Sequence, residues 1–243
     1  MSIPLVRRVR PEFVRFRDLT PELVNRDFQV HTVATDGRGT VRELINLAEE
    51  IGLGEMAFTE HVRKTSTYFG EFAAEVRAAR EGSSLPVFVG IEAKADNDDG
   101  DLDASPEILA DAEIVLGSVH RFPIGGDLVA AGTMDYEEAS QREFRLAMGL
   151  IRNAPIDVLS HPGGMCQRAF GEFPAAFFEE LMEASIQFGV AIEINSSYTR
   201  DMESFLGLCA KVNPLISVGS DVHRLEDLGS CRNILRDRGV PCP

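Results

Sequence analysis

Short apolar runs that break off into polar, metal-capable side chains recur along the chain, separated by apolar stripes at helical spacing. The first is Asp27-Phe28-Gln29-Val30-His31-Thr32, and later runs end in Glu60-His61, Ile91-Glu92, Ser118-Val119-His120, Ser160-His161-Pro162, Glu193-Ile194-Asn195 and Ser220-Asp221-Val222-His223. Each reads as a β-strand that delivers side chains at its C-terminal end. After the first run comes a turn-rich loop, Thr35-Asp36-Gly37-Arg38-Gly39, and then Thr40-Val41-Arg42-Glu43, the capping-box pattern of a helix start. Val41, Leu44, Ile45, Ala48 and Ile51 follow on one helical face, and Gly52 ends the stripe. The same alternation predicts strands over 55–60, 85–91, 113–119, 156–160, 190–194 and 215–219. Helices are predicted over 69–80, from 106, and over 135–152, 174–188, 201–211 and 225–238. Residues 1–25, broken by Pro11 and Pro21, read as a lead-in arm covering one end of the fold.

Seven strand-helix units imply a parallel sheet. The strand-end markers His31, His61, Glu92 and His120 lie 30, 31 and 28 residues apart, roughly the length of one βαβ unit. In a barrel of parallel strands the C-terminal ends converge on one mouth, so residues distant in sequence can share a site. A doubly wound open sheet would gather ligands at one switch point instead. The expectation is therefore one domain over 1–243, an α/β fold of distorted (β/α)7 TIM-like barrel type with its site at the C-terminal strand ends. There is no Gly-x-Gly-x-x-Gly after the first strand and no phosphate loop ending in Gly-Lys-Ser/Thr. The acidic stretch at 96–103 lacks the twelfth-position glutamate of a calcium loop and reads as a solvated loop.

Composition narrows the function. The formal net charge of −15 opposes partners bound by neutralising a long phosphate track, so extended nucleic acid is disfavoured. No apolar run approaches the length of a membrane span, and the N-terminus lacks the apolar core of a signal peptide, which points to a cytoplasmic protein. Cys166, Cys209, Cys231 and Cys242 have no CxxC spacing, which argues against a zinc finger or disulfide framework.

All five histidines stand at strand ends, with Glu92 and Asp221 at equivalent places. Imidazole and carboxylate together suit zinc, manganese or iron. Glu92 is placed to bridge two ions, and paired ions stabilise both attacking and leaving oxygens in phosphoryl displacement. Asp221 and His223, two apart on a strand, share a face. Arg63, Arg121, Arg168, Arg200 and Arg224, near strand ends, are candidates for bidentate capture of a phosphate, with Arg121 and Arg200 foremost.

The ordered set Gln-Val-His-Thr…Thr-Asp-Gly, Phe-Thr-Glu-His, Gly-Ile-Glu, Gly-Ser-Val-His, Leu-Ser-His-Pro and Gly-Ser-Asp-Val-His resembles the PHP family, named for its polymerase-associated and histidinol-phosphatase members. The match runs from about Asp27 to His223. The resemblance implies a distorted (β/α)7 barrel with two to three divalent metals that hydrolyses phosphate esters. By position, His31, Glu92 and Asp221 would hold the first metal, and Glu92, His120 and His161 the second. His61 and His223, with Asp36, would hold the third, and Glu92, Asp221 and His61 are the candidates for direct catalytic roles. Two positions depart from the pattern. Gln29 replaces the first histidine of the usual His-x-His, so it would be a weak ligand and the first metal the most readily lost. Glu60 stands where aspartate is usual. The expected activity is a phosphomonoesterase acting on a small phosphorylated metabolite. An exonuclease of the polymerase-associated kind, an amidohydrolase-type metal hydrolase and a non-catalytic metal module remain the alternatives.

Overall fold

A computed structural model describes residues 10–240. Ten strands can be followed: β1 (Val14–Arg15), β2 (Arg26–Val30), β3 (Glu55–His61), β4 (Val87–Lys94), β5 (Ile114–Ser118), β6 (Phe122–Ile124), β7 (Asp127–Val129), β8 (Val158–Leu159), β9 (Ala191–Asn195) and β10 (Leu215–Gly219). The helices are α1 (Pro21–Val24), α2 (Val41–Glu50), α3 (Phe69–Arg80), α4 (Pro106–Asp111), α5 (Tyr136–Asn153), α6 (Gly164–Phe170), α7 (Ala175–Phe188), α8 (Met202–Val212) and α9 (Ser230–Asp237). Eight strands form one sheet in the order β1-β10-β9-β8-β5-β4-β3-β2, parallel throughout except for β1 at the edge. The β2 edge is also bonded to the segment after β10. His31 N–H donates to the Val222 carbonyl at 2.9 Å, and Val222 N–H to the Gln29 carbonyl at 3.0 Å.

The period-two alternation of the strands sorts the core into two layers. Phe28, Ala57, Phe88, Ile114, Leu116, Val158 and Ala191 make a small cluster on one face, joined by Phe13 and Leu215. The opposite face packs against the helices in a much larger cluster that includes Phe58, Val89, Ile91, Ile192 and Val218. Continuing the first face toward the C-terminal ends replaces apolar residues with polar ones: Ala57 gives way to Thr59 and His61, and Phe88 to Gly90, Glu92 and Lys94. That switch turns a packed core into a site. The helix starts are fixed by local chemistry, as at α2, where Thr40 and Glu43 complete a reciprocal capping box, an interaction worth about 1 kcal/mol.

Of the lead-in arm, residues 1–9 lie outside the described residues, as does Cys242. Residues 10–25 supply α1 and the edge strand β1, whose Val14 and Arg15 pair with Ile216 and Leu215. The expected helix over 225–238 is broken: a short 3-10 turn, Leu225–Asp227, precedes α9, because Gly229 N–H donates to buried Asp27 rather than to a helical carbonyl. Beyond the arm, the β6–β7 hairpin and helix α6 were not expected. The β6–β7 hairpin turns at Gly125 and Gly126, both at positive φ, the geometry a tight two-residue hairpin favours. Helix α6 follows His161 directly, its first N–H groups at Met165 and Cys166 bonded to the buried Glu143 carboxylate of α5. The acidic loop is tied down: Lys94 pairs with Asp103 at 2.9 Å and Lys64 with Asp96 at 2.6 Å. Cys166, Cys209 and Cys231 are buried thiols. No described helix is long and apolar enough to cross a membrane.

Candidate metal centre

His61 and Glu92 are register partners on β3 and β4, so their side chains stand side by side on the polar end of the same face. Glu92 is fully buried and divides its two oxygens between different imidazoles. Oε1 lies 2.8 Å from His161 Nε2 and 3.1 Å from His120 Nε2, and Oε2 lies 3.1 Å from His61 Nδ1 and 3.5 Å from His31 Nε2. His31 Nε2 also lies 3.2 Å from Asp221 Oδ1. Further out, Asp36 sits 3.4 Å from His61 Nε2 and 3.3 Å from His223 Nε2. The rings of His31 stack on those of His61 and His223, with centroids 4.4 and 4.6 Å away.

Among the described residues, three donor groups are close enough to share an ion: His31, Glu92 and Asp221; His61, Glu92 and His120; and His31, Asp36, His61 and His223. The members of the first and third sets expected from sequence lie near one another, the third with His31 beside them. The second takes His61 where His161 was expected, while His161 approaches Glu92 at hydrogen-bond distance. These residues fit divalent cations. Both ring nitrogens of His31, Glu92 Oε2 and His161 Nδ1 are buried without a hydrogen-bond partner, an arrangement that is costly unless something else satisfies them. The donor set, imidazole with carboxylate, suits divalent metal ions.

Electrostatics bind the cluster together. Burial opposes ionisation of Glu92, but the imidazoles of His120 and His61 outweigh it and hold its carboxyl well below the usual range. Burial likewise disfavours a charged His61, yet Glu92 and Asp36 raise its pKa to about 11. The hydrogen bond from His61 holds Asp36 far below the normal carboxylate value. Asp221 is lowered despite burial, chiefly by the His31 imidazole 3.2 Å away.

Two of these residues adopt backbone conformations unusual for side-chain-bearing residues: His161 has φ 30° and Asp221 has φ 53°. Each costs on the order of 1 kcal/mol or more, and buried carboxylates hold both in place. Glu193 Oε2 accepts the His161 N–H at 2.7 Å, and Asp27 Oδ1 accepts the Ser220 N–H at 2.9 Å beside Asp221. Glu193 is in turn bonded by Asn195 Nδ2 at 3.0 Å, and the same amide donates to Gln29 Oε1 at 2.8 Å. Asn195 Oδ1 accepts from the Ser197 and Tyr198 N–H groups. That fixes which end of the Asn195 amide faces Gln29, so Gln29 turns its oxygen to Asn195. Gly219 makes this packing possible: a Cβ there would lie 2.0 Å from Glu193 Oε1 and 3.0 Å from Gln29 Cβ. Glu60 reaches across to the loop after β2, accepting from Thr32 N–H at 2.6 Å and from the Thr35 hydroxyl, and so holds the loop that carries Asp36.

A cavity of about 690 Å³ opens over the cluster. Of the candidate arginines, Arg63, Arg121 and Arg168 line it, whereas Arg200 and Arg224 do not. Arg200 uses its backbone N–H on Gln167 Oε1, and Arg224 reaches toward Glu226 at 4.0 Å. Sequence reasoning missed Tyr198 and Lys94. Tyr198 stacks on His161 with centroids 4.3 Å apart, and Arg168 lies over its ring at 4.5 Å. The one available signal for Tyr198 was its place just past the end of a site strand.

A family model for the PHP domain matches residues 27–197. The chain belongs to the PHP domain family. The matched span ends before Asp221 and His223, which the fold nonetheless brings to the same centre. A Caldicellulosiruptor bescii protein described as a "probable phosphatase" is 27% identical over 83% of this chain and 80% of its own length. A second, from Shewanella piezotolerans and described in the same words, is 26% identical over 84% of this chain and 79% of its own length. Among solved structures, a Listeria monocytogenes protein described as "putative histidinol phosphatase hisK" superposes with a TM-score of 0.62 at 16% identity. The match covers 84% of this chain and 97% of that one, and it shows that the two share a fold.

Proposed function

We propose that this PHP-domain protein is a divalent-metal-dependent phosphoesterase that hydrolyses a phosphomonoester of a small molecule. The observation that carries the reading is Glu92, a buried carboxylate whose two oxygens face different sets of imidazoles at the floor of a cavity. The curated relatives described as probable phosphatases support it. The hydrogen bonds joining β2 to the segment after β10 support reading the sheet as a distorted (β/α)7 barrel, with the ligands around its mouth.

His31, Glu92 and Asp221 would hold one ion, Glu92 with His120, His61 and His161 a second, and His61, His223 and Asp36 a third. When bound, such ions supply Lewis acidity and positive charge where phosphoryl transfer develops negative charge. The chain's own groups do the rest. Glu92 sets the separation of the donors on either side of it. Arg168, its plane held by Tyr198, presents N–H groups to phosphate oxygens. Tyr198 and Met165 exclude water from the wall beside His161, and the open end of the cavity leaves the departing alkoxide in contact with water that protonates it.

The test is phosphate release by protein loaded with manganese, zinc or iron. p-Nitrophenyl phosphate, its bis ester and single-stranded DNA serve as substrates, with metal content measured on the same preparation. Turnover of the monoester alone, abolished by chelation, is expected. Degradation of DNA in preference to the monoester would move the assignment to the exonuclease reading. Metal stoichiometry near zero under replete conditions would favour a non-catalytic module.

A further inference from the structure

The charges around the cavity are not mixed but sorted. In sheet order, the neighbouring strands β3, β4, β5 and β8 are each ended or followed by one basic residue on the cavity wall: Arg63 just past β3, Lys94 at the end of β4, Arg121 just past β5, and Arg168 on helix α6 after β8. The acidic side chains Asp36 and Asp227 come from the opposite side, after β2 and β10. Asp36 belongs to the donor set, as do Glu92 and Asp221, so bound cations would offset all three. What remains of the wall is four cations against Asp227 alone. This occurs in a protein whose formal net charge is −15, where a chance patch would be acidic.

The four cations are not equivalent. Lys94 is paired with Asp103 at 2.9 Å, and Arg168 is fixed on Tyr198 beside His161, where the transferred phosphate is expected. Arg63 and Arg121 are exposed at the rim, and among the described residues neither has a carboxylate within ion-pair distance. One phosphate seated on the donor cluster leaves them without a counter-ion.

We propose that the substrate of this site carries a second anionic group, a carboxylate or a further phosphate, which Arg63 and Arg121 receive while the hydrolysed phosphate lies at the donor cluster. The inference rests on the phosphoesterase reading and narrows it: phosphomonoesters of amino alcohols are disfavoured, and those of acids or of already phosphorylated molecules are favoured. The cavity of about 690 Å³ has room for a ligand of that kind, since small-molecule sites span roughly 300–1,000 Å³.

The test uses the metal-loaded protein and non-hydrolysable probes on one skeleton: propylphosphonate and its omega-carboxyl, omega-phosphono and omega-amino derivatives, with binding followed by calorimetry. At least one of the two anionic derivatives should bind about tenfold tighter than propylphosphonate, as roughly 1.4 kcal/mol from two rim contacts would give. The amino derivative should bind more weakly than propylphosphonate, and added salt should erode the preference. Which anionic derivative wins identifies the second group. Arg63→Ala and Arg121→Ala should each weaken the anionic derivatives more than propylphosphonate, with Arg121→Lys restoring part of the difference. Equal affinities across the series, tightest binding of the amino derivative, or equal losses for all probes in both variants would overturn the proposal. Turnover of p-nitrophenyl phosphate by the same preparation separates the two ideas. If it is absent while the charge order holds, the catalytic reading fails and the recognition inference stands.

Discussion

The donor cluster has an inner and an outer half, built in different ways. Inner residues His31, Glu92, His161 and Asp221 are buried, the His31 and Glu92 side chains wholly so. They hang from strand ends whose backbones are bonded on both sides. The outer residues face water: Asp36 is 54% exposed, His61 32% and His223 33%. Asp36 stands on a loop that depends on Glu60 for its shape. A carboxylate among imidazoles in a dry site interacts strongly with whatever charge enters, whereas the same pair at a wet rim is screened. The inner half should therefore hold its ion tightly, and the outer half should exchange.

The harshest way to break this contrast is Glu92→Gln. An amide cannot offer two anionic oxygens to donors on either side, so bound metal should fall and phosphate release should drop by roughly a hundredfold or more, since even groups behind the ligands are worth 10–100-fold. Circular dichroism should show the fold intact. A well-folded variant with near-normal turnover and metal content would remove Glu92 from the centre of the argument. Asp36→Asn tests the other half. It should lose the most exchangeable ion on dialysis while the remainder stays, with activity down by about tenfold. If all metal leaves together, the two halves are one site and the contrast is wrong.

The difference between the halves also governs what could be read from sequence. Period-two alternation ending in histidine or acid pointed to every residue of the inner half, because a strand end leaves a side chain little choice of direction. Longer-range contacts were invisible. The register of β2 shifts between Asp27 and Val30, which lets Asp27 reach Ser220 and Gly229 while Gln29 meets Asn195. No local pattern announces an irregularity set by partners over 160 residues away. Arg200 and Arg224 failed to reach the cavity because proximity to a strand end does not fix where a loop side chain points. Helix α6 was hidden because its start relies on Glu143 of another helix instead of a cap of its own.

Gln29 sharpens the comparison at smaller scale. From sequence it is a weak ligand that loosens the first ion, which would make the inner half the leakier one. With its oxygen engaged by Asn195, Gln29 is placed to brace β2 against β9 instead, and the burial of His31 and Glu92 predicts the opposite order of loss. Stepwise dialysis of the unaltered protein, followed by Gln29→His and His31→Ala, decides between them. On the brace reading, Gln29→His changes retained metal by less than about threefold, whereas His31→Ala strips an ion. A marked gain in retained metal from Gln29→His would restore the ligand reading.

A further effect falls on stability and concerns the support behind the inner half. Glu143 is fully buried, accepts the Met165 and Cys166 N–H groups, and faces the Cys166 thiol and, at longer range, His120. Burial raises its pKa from 4.5 to about 7, against the lowering pull of those bonds. A carboxyl with a raised folded-state pKa binds its proton more tightly folded than unfolded, so the stability it contributes is present at low pH. That contribution is lost as pH rises from the unfolded value toward 7, with a slope of at most about 1.4 kcal/mol per pH unit. Above 7 the contribution is flat. Glu143→Gln, which mimics the protonated form, should remove that slope. The measurement is urea unfolding of metal-loaded protein at several pH values from 5 to 8, read as the difference between the unaltered protein and the variant. The unaltered protein should lose ground to the variant between pH 5 and 7 and then hold level. A difference that stays constant across the range would mean that Glu143 remains ionised in the fold, with its two N–H donors enough to keep it so.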